Sequence, residues 1–410
     1  MLDVELPDKQ TTLIEPSHLA GMPDERVALC AALDAPIGAV ALASQVTPET
    51  RITIVHTDIT RPTPNERLIP WLLAYLEAAG ASRENITLLN GLGTHRPNTR
   101  EELEQMLTPE VVANYRCLNH EPENDEAHES FGVTRTGAPV LINRHLINAD
   151  LRVITGFIEP HFFAGFSGGP KGIMPGVAAL KTVISNHGAH HIGGRTATFG
   201  VTVGNPLWEE MRDIALRIGP SFLLNVALNT ERQITGVFAG DLVAAHRAGT
   251  EFVRASAMQR VEEPFDIVIT TNSGYPLDMN LYQAVKGMRA AELIVKEGGM
   301  VIIAAECSEG VPFDSPHDQF LRSVPDGEAL LARIQEPGFE WPEQWQGQIQ
   351  ALIQRRASVH LFSKLDEAAV RAAHLIPCYD IAATVRAALK PGGRIAVLPH
   401  GPLTIPYLAN

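Results

Sequence analysis

Cysteine is scarce. Cys30, Cys117, Cys307 and Cys378 are the only four in 410 residues, and no two form a CxxC pair. That scatter excludes a disulfide framework and a thiolate metal site, and it fits a reducing compartment. Long apolar runs are missing as well: none reaches the roughly 18 residues a membrane helix needs. The opening Met1-Leu2-Asp3-Val4-Glu5 has no signal-peptide character. A soluble, cytoplasmic protein without a membrane partner is expected. Positive charge is also short, with 33 Lys and Arg against 47 Asp and Glu and a formal charge of −14. With no basic run to offset it, nucleic acid is excluded as a partner. An anionic small molecule is not excluded, since it needs only a local basic pocket.

Three signatures of common cofactor sites fail too. Gly165 is followed five residues later by Pro170, and no Ser or Thr follows Lys171, so the P-loop pattern is broken. No GxGxxG joins a strand to a helix, which weakens a nicotinamide-dependent dehydrogenase. His187 and His191 are four apart, as a helical metal pair requires. Gly188, however, stands where HExxH needs its glutamate, so a zinc peptidase is rejected while a metal-binding histidine stays open.

What is present has the rhythm of an α/β protein. Ile52–His56 alternates as a strand and ends in Thr57-Asp58-Ile59-Thr60-Arg61-Pro62. A helix is predicted over Glu66–Ala79, then a strand at Ile86–Leu89 ending in Asn90-Gly91-Leu92-Gly93-Thr94-His95. Strand, polar loop, helix, strand, polar loop is the βαβ pattern of a mostly parallel, doubly wound sheet. Ligands gather beyond the carboxyl ends of such strands. Further strands are predicted at Val153–Phe157, Phe222–Leu228, Ile234–Phe238, Phe265–Thr271, Met300–Cys307, Ser358–Phe362 and Arg394–Leu398. Helices are predicted at Asp24–Leu33, Ala178–Asn186, around Leu242–Phe252 and near Leu281–Lys296. The expected architecture is two α/β domains, residues 1–265 and 266–398, with 399–410 able to rejoin the first and the active site in the cleft between them.

Chemistry concentrates in Gly156–His191, where 36 residues hold four histidines and two lysines around a glycine-rich turn. His161, Lys171 and His187 precede, occupy and follow that turn, an arrangement suited to holding a charged small molecule from several sides. Elsewhere each feature has two readings. Asp58 and Arg61 form either a surface pair of little consequence or a strand-end site. His95 is either a surface-loop histidine or one brought to a ligand by Gly91 and Gly93. Mid-strand His56 reads as structural. Tyr282 and Gln283 stand four and three residues before Lys286 and so share its helix face by i+4 and i+3 spacing, a solvated stripe or a binding face, with Asp278 as the expected N-cap. Trp341 and Trp345 read as core or interface residues.

Taken together, the stretches TDITRP (57–62), GLGTHRP (91–97), PHFFAGFSGGPKGIMPG (160–176), Asn186-His187 and SGYPLDMNLYQAVKGM (273–288) resemble the nickel-dependent lactate racemases. The resemblance implies a nickel-pincer nucleotide (nickel pyridinium-3,5-bisthiocarboxylic acid mononucleotide) bonded covalently to Lys171, with its nickel ligated by His187. It also implies nucleotide contacts from Asp58, Ile59, Thr60 and Arg61, with His95 and His161 as the acid/base pair. Substrate contacts would come from Gln283 and Lys286, with Tyr282 beside them, Arg61 on the carboxylate and Trp345 as a pocket wall. The implied activity is racemisation of a small 2-hydroxy acid by hydride abstraction and return to either face of the keto acid. Separate maturation enzymes would supply the cofactor. Malate, a longer aliphatic hydroxy acid or an aldonate epimerised at C2 stay open as substrates, and the oligomeric state does not follow from the residues.

Overall fold

Two six-stranded sheets organise the chain, and the computed structural model describes residues 2–312 and 315–409 of it. The first sheet runs in the order Ile234–Asp241, Phe222–Leu228, Leu151–Phe157, Ile52–His56, Ile86–Asn90, Arg116–Asn119. All its pairings are parallel except the antiparallel edge pair of Phe222–Leu228 with Ile234–Asp241. The second is parallel throughout, in the order Thr11–Leu13, Ile395–Leu398, Phe265–Thr271, Val295–Ala304, Ala357–Phe362, Ile376–Pro377. Helices cover the faces, which leaves the central strands buried on both sides, so the alternation of Ile52–His56 marks no solvent face and all five of its residues are buried. The expectation of mostly parallel α/β sheets holds.

Strand order reverses between Ile52–His56 and Leu151–Phe157, because the chain leaves the former for one side of the sheet and returns on the other. A crevice opens at such a reversal, beyond the strand ends. The loops after residues 56, 90 and 157 therefore start on one edge. Helix Asn65–Ala78 follows the first of these loops and buries Leu68, Ile69, Leu72, Leu73 and Leu76 against the sheet, despite Pro70 in its second turn.

Two terminal segments pair far along the chain. Ile405–Leu408 pairs in parallel with Met258–Val261 as a separate two-stranded sheet; Asn410 lies outside the described residues. Thr11–Leu13 adds to the second sheet, a pairing too short to leave a pattern in the sequence. The helix read near Leu281–Lys296 stops at Glu292, and its last residues open the Val295–Ala304 strand. No helix among the described residues is long and apolar enough to cross a membrane.

Four buried imidazoles tie this fold to pH. Burial pushes His56, His120 and His246 down to about 4, and His317 to about 3. Unfolded, each returns to its ordinary value near 6.5, so between pH 6.5 and 4 the unfolded chain holds more protons than the folded one. Stability is therefore complete above that window and falls as pH drops through it. Thermal melts across pH 4–7 are expected to show a steady decline of Tm below 6.5; a flat profile would contradict these neutral, buried rings.

Candidate active site

The Ile52–His56 strand delivers Asp58 to the crevice, and Asn65 holds the turn by donating to the carbonyl and hydroxyl of Thr57 at 3.1 and 3.2 Å. Asp58 is buried. One carboxylate oxygen accepts from His95 Nδ1 at 2.8 Å and the other from the Thr60 hydroxyl at 2.9 Å, while Arg61 donates to that hydroxyl at 3.1 Å. Burial alone would raise the Asp58 carboxyl. The His95, Arg61 and Thr60 interactions outweigh it and bring the group to about 2. Because an ionised carboxylate only accepts, His95 carries a proton on Nδ1, and in the neutral ring Nε2 is the nitrogen with the lone pair. Gly93 N–H donates to Gly176 at 3.0 Å, joining the His95 loop to the glycine-rich turn.

The Leu151–Phe157 strand runs on into Glu159-Pro160-His161, a short hairpin arm paired with Gly165–Phe166. Gly165 has φ +78°, and a Cβ there would stand 2.3 Å from the Val201 carbonyl oxygen, so only glycine closes this hairpin. Ala164 N–H donates to His161 Nδ1 at 3.2 Å. A neutral His161 therefore carries its proton on Nε2, opposite to His95. Burial, then Lys171, Lys286 and Arg61, hold this imidazole well below its ordinary range, so it is neutral at physiological pH. Asn225 accepts from Gly169 N–H at 2.8 Å and anchors the turn Gly169–Gly172 that presents Lys171. The Lys171 ammonium lies 5.6 Å from the centroid of the Phe163 ring. Burial, reinforced by Arg61 and Lys286, lowers this amine to about 7.

Helix Leu180–Asn186 ends at His187. Asn186 donates to Glu210 at 2.9 Å, which fixes the helix end, and His187 is buried with no hydrogen-bond partner at Nδ1. His191 points elsewhere, its Nδ1 on the Asn186 carbonyl at 2.9 Å, and His190 is exposed. Of the histidine cluster, His187 alone reaches the cleft.

The second sheet contributes helix Leu281–Glu292. Its N-cap is Asn280, which accepts from Gln283 N–H at 3.0 Å; Asp278, the expected cap, instead accepts from Glu306 N–H at 3.2 Å. Gln283 and Lys286 are buried and Tyr282 is half-buried in the cleft wall, so the solvated-stripe reading fails. Trp345, on helix Gln344–Arg356, donates to the Tyr282 hydroxyl at 3.0 Å. Trp341 donates to the Pro316 carbonyl at 2.7 Å and is absent from the cleft wall.

These elements enclose a cavity of about 120 Å³, walled by Asp58, Arg61, His95, His161, Lys171, His187, Tyr282, Gln283, Lys286 and Trp345. Both units therefore line it. Ile59 and Thr60 stand beside it without lining it: Ile59 packs on the core and Thr60 supports Asp58. Ring contacts run around the cavity from His161 to Phe163 (4.5 Å), Phe163 to His187 (5.2 Å), His187 to Trp345 (4.9 Å) and Tyr282 to His95 (6.2 Å). Lys286, like Lys171, is lowered to about 7, first by burial and then by Arg61, against Glu159 and Asp58. The sequence reading missed the Asp58–His95 bond and passed over Glu159, an acid inside an otherwise apolar run that was a usable signal.

Residues 1–200 match the lactate racemase N-terminal domain and residues 261–404 the lactate racemase C-terminal domain. A lactate racemase of Thermoanaerobacterium thermosaccharolyticum is 36% identical over 377 residues, 90% of this chain and 88% of that one. One of Lactiplantibacillus plantarum is 38% identical over 324 residues, 78% of this chain and 76% of that one. The solved lactate racemase apoprotein from T. thermosaccharolyticum superimposes with a TM-score of 0.91 at 33% identity, covering 99% of this chain and 97% of its own. A Thermotoga maritima protein at 20% identity and TM-score 0.74 shares the fold. The chain belongs to the lactate racemase family of isomerases.

Proposed function

We propose that this protein racemises a small 2-hydroxy acid of the lactate type and carries a nickel-pincer nucleotide tethered to Lys171. One observation carries the reading. A single buried cleft gathers an amine with suppressed charge (Lys171), an imidazole with an unpartnered nitrogen (His187), two imidazoles of opposite proton placement (His95, His161) and cations for a carboxylate (Lys286, Arg61).

The donor set fits that cofactor. Among the described residues no three His, Cys, Asp or Glu side chains converge on a metal, so nickel at His187 would take its remaining donors from a ligand, as a pincer provides. Lys171, lowered to about 7, is substantially unprotonated near neutrality and able to act as a nucleophile. Asp58 and Arg61, with Ile59 and Thr60 behind them, would contact the nucleotide. When bound, the pyridinium supplies a hydride acceptor, which no side chain offers.

The chain's own residues handle protons and position. Lys286, with Gln283 and Arg61, holds the substrate carboxylate as a pivot. His95 accepts the hydroxyl proton of one enantiomer at Nε2, and His161, across the cleft, would serve the other at Nε2 once its ring proton sits on Nδ1 and the Ala164 amide contact is released. Buried rings exclude water from the planar keto acid between the two steps. Asp58→Asn is expected to slow both directions about 10²-fold, because an amide neither fixes the His95 tautomer as firmly nor stabilises its protonated form. Polarimetry on folded, nickel-replete protein measures this.

The test is to produce the protein with the cofactor-maturation enzymes and screen 2-hydroxy acids for loss of optical activity. Expected are an equimolar mixture from either lactate enantiomer, bound nickel and a mass addition on Lys171. Bound NAD, with oxidation but no inversion, would replace this reading with a dehydrogenase. Faster turnover of malate or a longer hydroxy acid would change the substrate alone.

A further inference from the structure

Strand order reverses in the second sheet as well, between Phe265–Thr271 and Ile395–Leu398. A crevice is expected beyond those strand ends too, and one is present. Ser273 and His400, which follow the two strands, line a cavity of about 80 Å³. It shares Ile158, Glu159 and His400 with a larger cavity of about 230 Å³. Neither is walled by a residue given a role in the scheme above.

The larger cavity has an apolar floor, where Ile158, Ala227, Val253 and Ala257 are buried and Phe252 is half-buried. No lysine or arginine lines it. Its titratable groups are Glu15 and His18, both exposed, His400, and Glu159, which is 6% exposed. Two oxygens of this wall, Glu159 Oε2 and Thr235 Oγ1, are buried without a hydrogen-bond partner. Such orphaned atoms call for a partner that the chain does not provide. The Glu159 backbone is fixed by Ser167: its N–H donates to the Ser167 hydroxyl at 2.9 Å, and its carbonyl accepts from Ser167 N–H at 2.9 Å. The carboxyl therefore starts from an anchored point. Burial raises it, against the pull of Lys286, Arg61 and Lys171, as suits an acid with no bonded cation. Asn229, by contrast, is already satisfied, donating to the Leu19 carbonyl at 3.1 Å and accepting from Gln233 N–H at 2.9 Å.

We propose that this cavity is a second ligand site, separate from the catalytic cleft, for a small aliphatic ammonium. Its N–H groups meet Glu159 and Thr235, and its chain lies on Ile158, Val253 and Phe252. An ammonium brings three donors and a positive charge to a wall that has unpaired acceptors and carboxyl groups. An anion would face Glu15 and Glu159 with no lysine or arginine to hold it. A neutral alcohol offers a single donor and leaves the carboxyl without a counter-charge.

The experiment is a ligand-observed NMR titration of the full chain with n-butylammonium chloride at pH 8, where an aliphatic amine is charged. n-Butanol, of the same chain length, is the neutral control. Saturable binding of the ammonium is expected, about tenfold tighter than that of the alcohol, because a charge-assisted hydrogen bond outweighs a neutral one. Glu159→Gln is expected to remove that tenfold preference. Ala257→Leu, which fills the floor and leaves Glu159 in place, is expected to abolish binding of both probes. No saturable binding of the ammonium, meaning a cavity that holds water only, would overturn the proposal. Equal affinity for the alcohol would overturn it too, as would ammonium binding that survives either substitution unchanged. Should Glu159→Gln fail to fold, Ala257→Leu and Thr235→Val decide the same question, the latter by an expected loss of ammonium affinity.

Discussion

Replacing His161 by alanine is expected to abolish racemisation from both enantiomers, and His95→Ala is expected to do the same. A single acid/base group typically contributes 10²–10⁴-fold. Each complete inversion uses both imidazoles, so neither direction escapes either substitution, and losses of about 10³-fold or more are expected in each. Partial reactions separate the two residues. With His161 gone, the enantiomer whose hydroxyl faces His95 still yields a stoichiometric burst of keto acid; with His95 gone, the burst comes from the opposite enantiomer. The two rings differ in readiness: His95 is held with Nε2 as the acceptor, whereas His161 must first release the Ala164 amide and carry its proton on Nδ1. Asp58 holds the proton on His95 Nδ1 at 2.8 Å, whereas the Ala164 amide occupies His161 Nδ1 at 3.2 Å. Steady-state polarimetry with rapid-quench detection of the keto acid measures both effects. Full turnover in either variant removes the two-histidine assignment.

Lys171→Ala is expected to eliminate the covalent mass addition seen by intact-protein mass spectrometry and, with it, measurable turnover. The amine owes its low pKa of about 7 to burial and to Arg61 and Lys286, so the neutral, nucleophilic form grows as pH rises through that value. Attachment to the wild-type chain is therefore expected to speed up between pH 6 and 8 and to level off above. Lys171→Arg keeps a cation beside Phe163 but cannot be deprotonated, so it is expected to stay unmodified at every pH. A covalent addition that survives in Lys171→Ala would move the attachment point elsewhere.

Much of the scaffold was legible before any coordinates. The strand Ile52–His56, read from its alternation, and Phe265–Thr271, read as a buried strand, occur with the limits read for them, and both are largely buried between covering helices. Boundaries shaped by polar capping were less legible. Asp278 and Asn280 are both able caps, and only the path of the backbone selects Asn280 for Gln283 N–H. The end of the Leu281–Glu292 helix was overrun because Val295 and Lys296 suit a helix as well as a strand, and the pairing of Val295 with Phe265 decided between them.

The kinds of residue that make the site, and their grouping at strand ends and around one glycine-rich turn, were determined by the sequence alone, since glycine at Gly165 and polar loops after parallel strands follow from local sterics and hydrogen bonding. Which of them meet was decided only in three dimensions. Asp58 and His95 lie 37 residues apart and Tyr282 and Trp345 63 apart, and no local rule pairs them. The charge states of Lys171, Lys286 and His161 are likewise tertiary facts: they arise from removing water around cations drawn from separate elements, and burial of that kind leaves no mark in the order of the amino acids.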